Sequence, residues 1–321
     1  MTDKVKDAMR LTQVALVGML DPAVVVDWYR RMFGFLPAGS TRFEGAHIAE
    51  IQGVDAPTVK IELAWLLDRN DFFQIELFRY ATPESKPLPE WRATDIGYRL
   101  LSLHVDDFAA TLARLAGEGV QPLKPVHGQA GDRRARVRDP NGNLIELMER
   151  DIRLPDAPPR LRPEVRVTVR SISATVPDLD RAREFFVDTL GMTPTDIRLH
   201  GDDDEIAWGT PGLPRRTLVL ASGDLFLELT EYPTAPTRSW PPGYRLCDCG
   251  LMNIALGSLT PGPYRETRQR VLGSKHSAHR ELLVPPHVEV CYALSADGFS
   301  VEMMYMDEKA HADFGFVPKA T

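Results

Sequence analysis

The sequence predicts an α+β fold assembled from four copies of one strand-rich module, and three observations predict it. A strand, a short acidic turn and a helix recur along the chain; four later stretches each close on a strand with a central glutamate; and the distance between these two features alternates long, short, long, short. Helix crossings followed by runs of strands imply mixed sheets with helices on one face and the other face free.

The opening element is read in LTQVALVGMLDPAVVVDWYRRMFGF from Leu11, LLSLHVDDFAATLARLAGEGV from Leu100 and RSISATVPDLDRAREFFVDTLGM from Arg170. Asp21, Asp106 or Asp107, and Asp178 stand where a side-chain oxygen caps free helix amides. Pro22 falls in a first turn, where its missing N–H costs nothing. Gly34, Gly119 and Gly191 follow the helices at the place where a left-handed residue ends one. A less regular fourth copy, GLMNIALGSLTPGPYRETRQRVLG, starts at Gly250, with a weaker helix and Gly273 as its stop. Val25, Trp28, Tyr29 and Met32 have helical spacing and read as a helix packed on a sheet.

The closing strands lie in FFQIELFRYATPES, DPNGNLIELMERD, GDLFLELTEYPTAPT and SADGFSVEMMYMDE, with Glu76, Glu146, Glu228 and Glu302 at their centres. From the matching first-strand residues Gln13, Leu100, Ser171 and Asn253, the glutamates follow at 63, 46, 57 and 49 positions. Copies one and three share an ending, ELFRYATP against ELTEYPTAP; copies two and four share DPNGNLIELM against SADGFSVEMM. A pair of modules was therefore itself doubled. The proline-rich stretch RDIRLPDAPPRLRPEVR lacks periodicity and reads as a linker. The expected division is residues 1–155 for modules one and two, a linker over 156–166, and residues 167–321 for modules three and four, a degenerate second domain.

Period-2 alternation sorts the closing strands. Ile75 and Leu77 oppose Gln74, Glu76 and Phe78; Ile145 and Leu147 oppose Leu144, Glu146 and Met148. The aliphatic face takes the helices, and the mixed face lines a concavity where the sheet curves. His47 and His127 are expected in the middle strands, reaching into that concavity beside Phe78 and Met148 to touch a substrate. Trp65, Trp91, Trp208 and Trp240, with Phe72 and Phe73, fall near strand ends and could wall an apolar pocket for an organic, even aromatic, substrate. His276 and His279 read as a solvated loop. A mid-strand glutamate also fits a plain solvated face, so four repeated glutamates are firmer evidence of descent than of chemistry.

Composition narrows the classes. A net charge of −7 with no long basic run argues against nucleic acid as a partner. No apolar run spans a membrane, the N-terminal stretch lacks the apolar core of a signal peptide, and a cytoplasmic location is expected. Cys247, Cys249 and Cys291 are too few and too oddly spaced for a disulfide framework or a CxxC zinc site, and read as packed side chains. No P-loop, GxSxG or dinucleotide fingerprint occurs, so no nucleotide cofactor and no serine nucleophile is expected.

DPNGNLIELM, VPDLDRAREFFVDTLGM and the βαβββ spacing resemble the vicinal oxygen chelate superfamily, which includes glyoxalase I, methylmalonyl-CoA epimerase, extradiol dioxygenases and the bleomycin and fosfomycin resistance proteins. The resemblance runs over nearly the whole chain. It implies two cup-shaped sheets, each from two modules, with a metal held in a cup by first- and last-strand residues. Carried over, those positions are Gln13 and Glu76, Leu100 and Glu146, and, in the second half, Ser171, Glu228, Asn253 and Glu302. No histidine stands at a first-strand position, so Fe(II) ring cleavage, which needs two histidines and a carboxylate, is poorly supported.

The resemblance with sequential pairing groups Gln13, Glu76 and Glu146 as three oxygen ligands for Mg, Mn or Ca rather than Fe, with Glu76 or Glu146 as catalytic base. Pairing module one with four would instead gather Gln13, Glu76, Asn253 and Glu302, and leave Leu100, Glu146, Ser171 and Glu228 together. The expected activity is lyase, isomerase or epimerase chemistry by proton transfer on a small molecule. The alternative is metal-free acid/base catalysis or sequestration of a hydrophobic molecule. With both cups inside one chain, a monomer or a homodimer would serve.

Overall fold

The computed structural model describes residues 8–319 apart from 89, 91, 156, 158, 241, 242, 280 and 285; the expectation for Trp91 lies outside the described residues. Three helices begin on the aspartates that the sequence marks. Asp21 accepts from the Ala23 N–H, Asp107 rather than Asp106 from Ala110, and Asp178 from Arg181. Gly34, Gly119 and Gly191 are left-handed, whereas Gly273, with φ −85°, is not. The fourth helix is nonetheless a full 12 residues long.

Module one comprises β1 (Arg10–Val17), α1 (Pro22–Phe33), β2 (Leu36–Gly45), α2 (Ala46–Gln52), β3 (Val59–Leu67) and β4 (Gln74–Thr82). Module two comprises β5 (Gly97–Val105), α3 (Phe108–Gly117), β6 (Arg134–Arg138) and β7 (Leu144–Met148). Module three runs β8 (Val167–Thr175), α4 (Leu179–Arg183) continuing as a π-helical turn over Glu184–Thr189, β9 (Thr193–Thr195), α5 (Asp202–Trp208), β10 (Arg216–Ser222) and β11 (Leu225–Glu231). Module four holds β12 (Gly250–Ser258), α6 (Pro261–Leu272), β13 (Ser277–Ala278), β14 (Leu282–Val284), β15 (Val288–Leu294) and β16 (Ser300–Met306).

The opening strands β1, β8 and β12 are buried from end to end, and β5 everywhere but at Arg99, which places them mid-sheet. β1 pairs antiparallel with β12, and β5 with β8. Each has the closing strand of its own module in parallel on its other side. One sheet therefore runs β13-β15-β16-β12-β1-β4-β3-β2, with β14 beside β15, and the other β6-β7-β5-β8-β11-β10-β9. The cups unite modules one and four, and modules two and three. The sheets do not follow the expected split between residues 1–155 and 167–321. The proline-rich stretch joins β7 to β8 within one sheet, and it is anchored there: buried Arg170 pairs with Asp151 at 2.6 Å and with Asp224 at 2.8 Å.

The chain crosses between cups twice, after β4 and after β11, and the two crossings are alike. In one, Asp95 accepts from the Arg92 N–H and guanidinium; in the other, Asp248 accepts from the same groups of Arg245. Arg238 of the second crossing also donates to Asp95, and Asp248 accepts from the Lys86 N–H of the first. A single core fills the space behind both sheets, from Val14 and Ile75 through Leu101 and Ile145 to Leu227 and Ile254. The helices α1, α3, α4 and α6 lie in it and touch across the junction, α1 against α3 and α6 against the turn after α4. The concave faces look away from this core. No helix among the described residues is long and apolar enough to cross a membrane.

Candidate functional site

Strand register places the repeated glutamates in equivalent positions: Ala15 stands beside Glu76, Ser102 beside Glu146, Ser173 beside Glu228 and Ala255 beside Glu302. Two residues earlier on each first strand, on the same face, are Gln13, Leu100, Ser171 and Asn253. The cups thus share a layout and differ in chemistry.

The first cup, from modules one and four, gathers Gln13, Glu76 and Glu302 at a cavity of about 80 Å³ walled by apolar side chains, among them Phe43, Ile51, Phe78, Met304 and Phe314. Asn253, also buried, stands beside Ala15 on the partner strand. The Trp65 indole N–H donates to Glu76 Oε1 at 2.9 Å, and the Tyr292 hydroxyl donates to Glu302 Oε2 at 2.9 Å. Burial, and then the charge of Glu302, hold Glu76 well above the usual carboxylate range. Burial raises Glu302 to about 7, against the opposing hydrogen bond from Tyr292. The Gln13 Oε1 and Asn253 Nδ2 atoms are buried with no hydrogen-bond partner among the described residues. An unpartnered Gln13 oxygen beside the Glu76 and Glu302 carboxyls forms a polar floor under an oily wall.

The second cup, from modules two and three, is closed. His200, from the loop before α5, sits between its glutamates, with Nδ1 2.5 Å from Glu228 Oε2 and Nε2 2.9 Å from Glu146 Oε2. Ser102 and Ser173, where the first cup has alanines, donate to the same carboxylates. Arg134 donates to Glu146 at 2.9 Å and to the Leu199 carbonyl at 2.6 Å. Burial alone would push Glu146 and Glu228 up, but His200 pulls both below the ordinary value, helped at Glu146 by Arg134. Burial likewise opposes the charge on His200, yet the two carboxylates raise it to about 10. An imidazolium therefore fills the position between the two carboxylates. The sequence carried one signal for this division: serine at 102 and 173 against alanine at 15 and 255. His200 itself lies in a stretch with no counterpart in the other modules.

The proposed ligand set Gln13, Glu76 and Glu146 is not brought together, because Glu146 belongs to the other sheet. Gln13, Glu76 and Glu302 are, with Asn253 at the equivalent position of β12, and Glu146 and Glu228 meet through His200, with Ser171 at the equivalent position of β8. Phe78 lines the first cup as expected; Met148 is buried in a small apolar cluster of the second with Phe226. His47 is exposed on α2, outside any strand, because β2 ends at Gly45. His127 makes one isolated bridge to Arg134 and its Nε2 lies 2.9 Å from Asp204 of α5, so it reaches the plug of the second cup rather than an open site. Trp65 and Trp208 line cavities, whereas Trp240 packs on Tyr244 and Phe299 and Phe73 is core. His276 is buried against Phe185, not solvated. The three cysteines are buried and free.

The family model described as Glyoxalase/Bleomycin resistance protein/Dioxygenase superfamily matches residues 13–147. No curated protein sequence matches the chain. Among solved structures, glyoxalase I from Zea mays superposes with a TM-score of 0.62 at 16% identity, covering 100% of both chains. A putative dioxygenase from Bacillus subtilis superposes with a TM-score of 0.63 at 12% identity, over 98% of this chain and 92% of that one. At such identities the likeness is one of fold.

Proposed function

We propose, from the match of residues 13–147 to the glyoxalase/bleomycin resistance protein/dioxygenase superfamily model, that the chain is a member of that superfamily and that its first cup binds a small, largely apolar organic molecule and moves a proton on it. The observation that carries this reading is the pair Glu76 and Glu302, buried in an apolar cavity, with Glu302 near 7. A carboxyl titrating near neutrality can both take and return a proton, the property required for lyase, isomerase or epimerase chemistry beside a carbonyl. Glu302 is the base at its ordinary working pH and Glu76, held protonated longer, is the acid.

The floor also fits a divalent ion. Gln13, Glu76 and Glu302 bring oxygen donors to one cavity, with Asn253 at the equivalent position of β12, and the Gln13 Oε1 is buried without a partner among the described residues. An all-oxygen set suits Mg, Mn or Ca. When bound, such an ion would supply electrophilic polarisation of a substrate oxygen. Trp65 and Tyr292 orient the two carboxylates, and the apolar wall excludes water from them. No histidine is among the described residues lining the cavity, which continues to weigh against ring cleavage with Fe(II).

The apolar wall also supports a second reading, sequestration of a hydrophobic molecule without chemistry. Deuterium exchange decides between them. An aromatic α-hydroxyketone incubated with the protein in deuterated water should lose its α-proton to solvent, and Glu302→Gln should abolish the exchange. Binding without exchange at any pH, with or without added Mn, would leave sequestration as the function.

A further inference from the structure

We propose that the second cup, although closed at its glutamates, carries a separate binding site for a small organic anion with a flat apolar body. A cavity of about 270 Å³ lies over the plug, lined by Arg92, Arg99, Lys124, Arg136, Arg138 and Trp208 together with neutral side chains, and no aspartate or glutamate lines it. Five cationic residues around one cavity stand out in a chain of net charge −7. Their field favours an anion in this cavity.

Most of these cations already have a local anchor that fixes them. Arg92 is held by Asp95, Arg138 donates to the Gly142 carbonyl, and Arg136 donates to the Asp204 carbonyl with Glu146 3.9 Å away. Arg99 differs. It lies at an irregularity of β5, between Tyr98 and Leu100, and its Nε and Nη2 are buried without a hydrogen-bond partner among the described residues. Its guanidinium stacks on Trp208 at 4.7 Å, and that of Arg136 on the same ring at 5.1 Å. A desolvated guanidinium with free N–H groups is costly unless something accepts from it, and a carboxylate or phosphate does so with two oxygens at once.

The rest of the wall says what the anion is attached to. Trp208 offers an aromatic edge, and Leu144 and Leu251 add apolar surface. The occupant is therefore an aryl or alkyl carboxylate or phosphate monoester rather than a bare ion. Trp208 also packs on His200 at 4.8 Å, which separates the cavity from the ion triad beneath.

Titration calorimetry of the full chain with benzoate, phenyl phosphate and benzyl alcohol tests this. Both anions should bind in the millimolar range or tighter, more weakly as salt rises, and the alcohol should not. Arg99→Gln should weaken benzoate about tenfold with its thermal melt retained. If that variant fails to fold, Arg138→Gln, at the exposed rim, should still weaken binding severalfold. Absence of binding by either anion, equal binding of the alcohol, or unchanged affinity in a folded arginine variant would each overturn the proposal.

Discussion

His200 Nε2 lies 2.9 Å from Glu146 Oε2, across 54 positions of sequence and from a different module. With Glu228 on its other nitrogen, the ring is a positive charge clamped between two buried negative ones. Removing one member of such a buried set leaves uncompensated charge, at a cost of about 3–5 kcal/mol. Urea unfolding of His200→Ala should show a loss of that size near neutrality. The loss should shrink toward acid pH, where the two carboxylates take up protons.

The same triad sets two limits on pH. His200 is raised, so its contribution is complete below its unfolded value of 6.5 and is lost as pH climbs through about 10. Glu146 and Glu228 are lowered, so theirs is present above 4.5 and lost as pH falls toward their folded values. Thermal melts from acid to alkaline pH should lose stability at both ends, and Glu228→Gln should flatten the alkaline loss.

In the first cup the sign is reversed. Glu302 is raised from 4.5 to about 7, so the folded state holds a proton that the unfolded chain has released, and stability falls as pH rises across that interval. The full effect is about 3 kcal/mol. Glu302→Gln should be more stable than the parent at pH 8 and no more stable at pH 4, measured by urea midpoint.

A divalent ion would be favoured by deprotonated carboxylates, so Mn or Mg should raise the melting temperature more at pH 8 than at pH 6. Gln13→Ala and Glu76→Gln should each reduce that rise while leaving His200 and its neighbours untouched. A rise that survives both substitutions would place the ion elsewhere.

Asp95, buried beneath Arg92 and Arg238, ties one crossing to the other. Asp95→Ala leaves the Arg92 backbone N–H without its acceptor and returns two half-exposed guanidiniums to solvent, and should cost about 1–2 kcal/mol. Asp248→Ala is the symmetric experiment and should give a similar value.

The modules themselves were legible because their signals are local: a capping aspartate, a helical stripe, a glutamate at a fixed alternation. Which modules share a sheet was not, since β1 meets β12 through residues no more apolar than those of β5, and nothing near Leu11 names a partner 240 positions on. The grouping of Gln13 with Glu76 was recoverable from one strand pair. The inclusion of Glu146 rested on pairing neighbours in sequence, and the structure pairs β5 with β8 instead. His47 went astray because α2 interrupts the run from β2 to β3, and His200 was passed over because loops carry no period to read.

The nesting of one cup inside the other in sequence has a consequence for synthesis. Residues 97–231 hold every strand of the second cup, so it can close while the chain is still being made. β1 to β4 leave the ribosome earlier and yet wait for β12 and β16, with the bonding edge of β1 unpaired throughout. The oldest part of the chain is thus the last to be finished, and a pause or break between residues 232 and 250 would strand it as an open sheet edge, a ready template for aggregation.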